Sequence, residues 1–178
     1  MQTEIFRTAA VVRGDYRVLA RCEVEIEVPE GHSNFALFYQ KTAEAAVRWC
    51  REVLGERIKK EYALLPDVWA KARFLPYRFH LHGKTVYEDS EILVTVCQSV
   101  LSHGGERRVR RSAQVWNKRE GTILPNRLVL RRFGGKKTAK PKGFRVEGCY
   151  PVNGEMIFFH NPTAKTQFAE KKVKIISQ

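Results

Sequence analysis

Between Glu91 and Trp116 apolar and polar residues alternate on both sides of a Gly104-Gly105 dipeptide, a pair that favours a two-residue hairpin turn. Folding the chain there sets Val100 opposite Val109, Gln98 opposite Arg111, Val96 opposite Ala113 and Val94 opposite Val115. The intervening positions pair Leu101 with Arg108, Ser99 with Arg110, Cys97 with Ser112, Thr95 with Gln114 and Leu93 with Trp116. The first face is apolar, and the second is largely polar and basic. A slip of one residue would exchange the faces, so the agreement of the two runs predicts an antiparallel sheet with one buried side.

The remaining elements arrange around that hairpin. Residues 16–28 alternate Val18, Ala20, Cys22, Val24, Ile26 and Val28 against charged positions, the pattern of a half-buried strand. Pro29 and Gly31 end it, and Ser33 or Asn34 is placed to cap a helix by accepting a backbone N–H. That helix is predicted over 34–64. Its apolar stripe is Phe35, Tyr39, Ala43, Ala46, Trp49, Cys50, Val53 and Leu54, continued by Ile58 and Tyr62. An irregular link after Pro66 leads to a strand within 74–86, and Asn153-Gly154 joins strands over 144–152 and 155–160, with a last strand at 173–176. The expectation is a single α+β domain over 1–178, one long helix packed on a mostly antiparallel, twisted sheet. Phe35, Tyr39, Ala46, Trp49, Val53, Val94, Val96, Val100, Val109, Ala113, Val115, Ile157 and Phe159 are its expected core.

Charge adds a second theme. The 178 residues carry a formal net charge of +13, which favours encounters with polyanions: nucleic acid, an anionic polymer or an acidic protein partner. A solvated basic surface has the same composition, so charge alone does not select among these. The densest positive segment is 134–143, Gly-Gly-Lys-Lys-Thr-Ala-Lys-Pro-Lys-Gly, which holds no large apolar residue and reads as a basic loop. Arg108, Arg110 and Gln114 project from one hairpin face by strand alternation. With Arg132, Lys136, Lys137, Lys140 and Lys142 they make up the candidate ligand-binding set, a polyanion site closed by the loop.

Catalytic and metal chemistry find little support. No nucleophile elbow, phosphate loop, dinucleotide fingerprint or zincin motif occurs. The four cysteines are widely spaced without a C-x-x-C pair, so no zinc site, cofactor or disulfide framework is expected. His80 and His82 share a strand face but lack a third donor. Cys97 and His103 lie roughly 20 Å apart along a strand, too far for activation. The charged residues Glu4, Arg7 and Arg13 near the start of the chain leave no apolar stretch for a signal peptide, and no run reaches membrane-spanning length. The chain therefore reads as a cytoplasmic, non-enzymatic protein with reduced thiols.

The segment Cys149-Tyr150-Pro151-Val152-Asn153-Gly154-Glu155-Met156-Ile157-Phe158-Phe159-His160-Asn161-Pro162, followed by Gln167-Phe168-Ala169 and the strand at 173–176, resembles a Gram-positive bacterial domain of unknown function. That family ends in a strand, a turn, an apolar strand of the form I-x-F-Y-F-N-P-Y and a short final strand. The Tyr87-Glu88-Asp89 lead-in, the Gly104-Gly105 turn, Arg110-Arg111-Ser112 and Gly121 before Leu124 are similar to its central hairpin. The resemblance covers roughly 35–176. It departs at Glu106-Arg107, where the family has Ala-His, at Thr163-Ala164-Lys165-Thr166, and at the basic loop. The family occurs in lysozyme-sensing anti-sigma factors and beside peptidoglycan deacetylase domains. The resemblance thus implies the fold and an envelope-related binding module, without lysozyme sensing, since a strongly basic chain repels a basic lysozyme.

Overall fold

The computed structural model describes residues 3–30, 33–133 and 141–175. β1 (Thr3–Gly14) and β2 (Arg17–Pro29) form an antiparallel hairpin. A helical crossover then leads to β3 (Tyr77–Glu88), which lies parallel to β2 with Ala20 beside Tyr77. A parallel pair cannot be joined by a tight turn, and the long helix supplies the connection. β4 (Ile92–His103), β5 (Glu106–Asn117) and β6 (Thr122–Leu124) complete a six-stranded sheet in sequential order, antiparallel everywhere except β2–β3. A second sheet of β7 (Gly148–Val152), β8 (Glu155–His160) and β9 (Ala169–Lys174) is antiparallel throughout. The class is α+β, with a large, mostly antiparallel sheet.

The long helix is two α segments, α1 (Ser33–Trp49) and α2 (Gly55–Ala63), joined through a π-helical turn at Cys50–Leu54. The Gly55 N–H donates to the Cys50 carbonyl, five residues back, which admits one extra residue to that turn. A Cβ on Gly55 would stand 3.3 Å from Val12 of β1, so the glycine lets the helix lie close against the sheet. The buried stripe is Phe35, Tyr39, Ala43, Val47, Cys50, Leu54, Ile58 and Tyr62. Trp49 and Val53, expected in the core, are instead 39% and 58% exposed. The stripe advances in steps of four before Cys50, so it runs through Val47 and leaves Trp49 and Val53 at its margin.

The register of the central hairpin is the one its sequence predicts, pair for pair from Leu93↔Trp116 to Leu101↔Arg108. Gly104 and Gly105 have φ of 55° and 88°, as a two-residue turn matched to strand twist requires. The apolar face, with Ile92, Val94, Val96 and Val115, packs on Met156, Ile157, Phe158 and Phe159 of the second sheet. The face read as polar is open only near the turn. At its other end Leu93, Cys97 and Trp116 join the core beneath the long helix, where Trp116 donates its indole N–H to the Tyr39 hydroxyl at 2.8 Å and lies 4.5 Å from the Phe35 ring. A strand covered on both faces loses its clean alternation, and β4 is buried continuously from Ile92 to Cys97. Val100 and Val109, toward the turn, are only half-buried.

Three elements were not legible as such. β1 runs where no strand was expected. The link after Pro66 contains α3 (Val68–Ala72), capped by the Asp67 carboxylate, which accepts the Ala70 N–H at 2.7 Å. Residues after Pro125 form α4 (Asn126–Phe133), whose Val129 is buried against the second sheet. In that sheet Gly148 faces Phe159, and any Cβ there would collide with the ring. No described helix is long and apolar enough to cross a membrane.

Candidate functional site

β6 pairs with β5 only at Val115–Asn117, so the outer edge of β5 nearer the turn carries no neighbouring strand among the described residues. A groove of about 1210 Å³ runs along this edge. One wall is built from the helix side of the main sheet: Trp49, Phe79, Leu101 and Arg57. Phe168 and the segment 162–167 after β8 form the other, and Arg107, Arg108, Val109 and Arg110 of β5 lie between them. Trp49 owes its exposure to this position, with its ring 5.3 Å from that of Phe79.

Arg111 closes one end of the groove and ties the two sheets together. Its guanidinium donates to Gln98 at 3.0 Å and to the Tyr150 hydroxyl at 3.3 Å, pairs with Glu170, and lies 4.8 Å from the Phe168 ring centre. The Asn161 side chain binds both backbone groups of the same residue, accepting its N–H at 2.6 Å and donating to its carbonyl at 3.0 Å. Asn161 is fixed in turn by its own N–H, donated to Glu147 at 3.0 Å. That bond holds the Glu147 carboxyl below the usual carboxylate range.

Four arginines, Arg57, Arg107, Arg108 and Arg110, line the groove, and no carboxylate does. Arg108 makes one loose contact with Glu106, 3.8 Å between two well-exposed side chains, a geometry worth little in water. Arg107 and Arg110 have no ion pair among the described residues.

The residues expected to form one site are therefore divided. Arg108 and Arg110 meet in the groove. Gln114 shares their face but lies nearer the helix-covered end, its buried Oε1 without a hydrogen-bond partner among the described residues. Arg132 stands on α4 and pairs with Glu91, at the end of the hairpin remote from the Gly104-Gly105 turn. Lys142 is exposed. Lys136, Lys137 and Lys140 lie outside the described residues. Sequence reasoning missed Arg57, Arg107, Trp49 and Phe168 as groove residues, and Asn161 as its stop. The run Glu106-Arg107-Arg108-Val109-Arg110-Arg111 held part of that signal, and the Asn161-Pro162 pair held another.

Other reactive groups sit elsewhere. Cys97 is buried under the helix, and that burial pushes its thiol up to about 12. His103 stacks on Tyr77 at 3.7 Å and lies 3.8 Å from Glu61, which accepts the Tyr77 hydroxyl at 2.8 Å. The His80 and His82 rings are 6.3 Å apart, and no three His, Cys, Asp or Glu side chains converge as a metal site among the described residues.

Fold and groove together define a two-sheet α+β domain with an open, cationic sheet edge. Among solved structures, the fold is similar to a DUF3298 family protein from Pseudomonas aeruginosa PAO1, at a TM-score of 0.55 and 12% identity over 98% of this chain and 89% of that one. It is likewise similar to a DUF3298 family member from Bacteroides fragilis, at a TM-score of 0.58 and 12% identity over 97% and 90% of the respective chains. No protein-family model and no curated protein matches the chain. The likeness is one of fold, and it agrees with the resemblance to a domain of unknown function.

Proposed function

We propose that this protein is a non-enzymatic binding module whose ligand site is the arginine-lined groove at the β5 edge, and that its ligand is anionic. The observation that carries this reading is the lining itself: four arginines between two apolar walls, unbalanced by any carboxylate. Guanidinium groups suit carboxylate and phosphate alike, because their planar N–H pairs match both. The thiol nearest to a catalytic candidate, Cys97, stays protonated at neutral pH and is shut from solvent, which supports binding over thiol chemistry. The envelope connection implied by the family resemblance belongs to the same proposal and makes a phosphate-rich cell-wall polymer a candidate ligand.

The test titrates polyglutamate, inorganic polyphosphate, a phosphate-rich cell-wall polymer and a double-stranded oligonucleotide at two salt concentrations. Wild type is compared with Arg108→Ala/Arg110→Ala and with a variant carrying alanine at Lys136, Lys137, Lys140 and Lys142. Affinity that falls with salt and drops in the arginine variant is expected. Equal binding by wild type and the arginine variant would remove the groove from the site. A loss confined to the lysine variant would move the site to the loop.

A further inference from the structure

We propose that the outer edge of β5, from Glu106 to Arg110, is an acceptor for an extended acidic peptide that adds to the main sheet as a further strand. This rests on the groove being the anionic ligand site and specifies what occupies it. The contact between Asn161 and the Arg111 backbone shows which β5 residues turn their amide groups outward. Alternation then gives the same outward direction to the N–H and C=O of Val109 and Arg107. Neither residue has a partner on that side among the described residues, since β6 stops at Val115. Asn161 thus occupies the place of one strand residue, and the groove continues where the next residues of such a strand would lie.

A peptide suits this edge better than a phosphate polymer. The exposed groups alternate between donors and acceptors, and phosphate oxygens offer nothing to the Val109 and Arg107 carbonyls. A peptide backbone satisfies both, as in other cases of strand addition to a sheet edge. Alternation also specifies the side chains. Those of the added strand on the helix side meet Arg108 and Arg110, and those on the opposite side meet Val109 and Phe168. The fitting sequence therefore alternates acidic and apolar residues over about five positions, roughly 17 Å of extended chain. The same arginines repel a second copy of this basic edge, which keeps the strand available rather than self-paired.

The experiment uses the full chain and a fluorescein-labelled peptide of about eight residues alternating Glu and Val, followed by anisotropy. Three comparisons accompany it: a peptide of equal composition with its Glu and Val residues in separate blocks, the alternating peptide N-methylated at the amides facing β5, and a double-stranded oligonucleotide. Val109→Pro removes one outward N–H while sparing the ladder to β4, a position that edge strands tolerate. The alternating peptide should bind, and N-methylation, block order and Val109→Pro should each weaken it by about tenfold or more. Should Val109→Pro fail to fold, the N-methylated peptide decides alone. Equal binding of the alternating, block and N-methylated peptides would overturn strand addition while leaving an anion site in the groove. Binding of the oligonucleotide alone would do the same. Failure of every anion to bind at low salt would overturn the site itself.

Discussion

Asn161 supplies to Arg111 both hydrogen bonds that a neighbouring strand would supply, at 2.6 and 3.0 Å, from a residue 50 positions further along the chain. A single side chain thereby joins the connection after β8 to the edge of β5, and with it one sheet to the other. Asn161→Ala leaves a part-buried N–H and C=O without partners, so unfolding free energy should fall by about 1 to 3 kcal/mol in urea denaturation. An unchanged midpoint would mean that the sheets are held together without this contact.

The carboxylate behind Asn161 gives the arrangement a pH dependence. The Asn161 N–H is the main reason that the Glu147 pKa is lowered, with Arg145 at 3.3 Å assisting. Because the folded value is the depressed one, this contribution is fully present above the ordinary carboxylate pKa. It is lost as pH falls through the folded value. The melting temperatures of wild type and Glu147→Gln should therefore converge as the solution is acidified from neutrality. A separation that stays constant down to strong acid would contradict the assignment.

Two of the tryptophans should respond very differently to removal. Trp116 is 4% exposed, bonded to Tyr39 and packed on Phe35, so Trp116→Ala should cost about 3 to 5 kcal/mol. Trp49, a groove wall at 39% exposure, should cost about 1 kcal/mol and weaken ligand binding instead. Chemical denaturation of both variants, with binding measured on the second, separates the roles. Comparable destabilisation by the two would place Trp49 in the core.

All four cysteines are buried as free thiols. Burial raises Cys97, and Cys50 is raised first by its hydrogen bond with Cys22 and then by burial. Thiolate is the reactive form, so a disulfide-exchange reagent at neutral pH should label the native protein very slowly and all four thiols promptly in denaturant. Fast native labelling of any one would reveal an opening of the core around it.

The central hairpin was readable because two separate runs had to agree on one register, and Asn153-Gly154 because few turns suit that pair; Asn153 has φ of 47° and Gly154 of 76°. β1 escaped notice because an edge strand buries little: only Ala10 and Val12 are enclosed, while Ile5 and Val11 are exposed. α4 was obscured by consecutive Leu128, Val129 and Leu130, of which the fold buries one. Thr95 and Cys97 read as polar surface, yet the helix covers them. Small polar residues carry no mark of such a lid. The groove was half legible, since the arginine run is visible in sequence, whereas the approach of Asn161 and Phe168 depends on how the second sheet docks.

The π turn at Cys50–Leu54 makes chain length, as much as composition, a constraint on the helix. Deleting one residue there would restore an uninterrupted α-helical ladder, but it would also rotate everything that follows by about 100° relative to α1. Ile58 and Tyr62, now fully enclosed or nearly so, would swing away from the sheet while keeping their identities and their helical conformation. Substitutions within the exposed face of α2 leave that phase untouched. A one-residue insertion or deletion between α1 and α2 changes it for the whole second half of the helix, so the two kinds of sequence change are far from equivalent at this point in the chain.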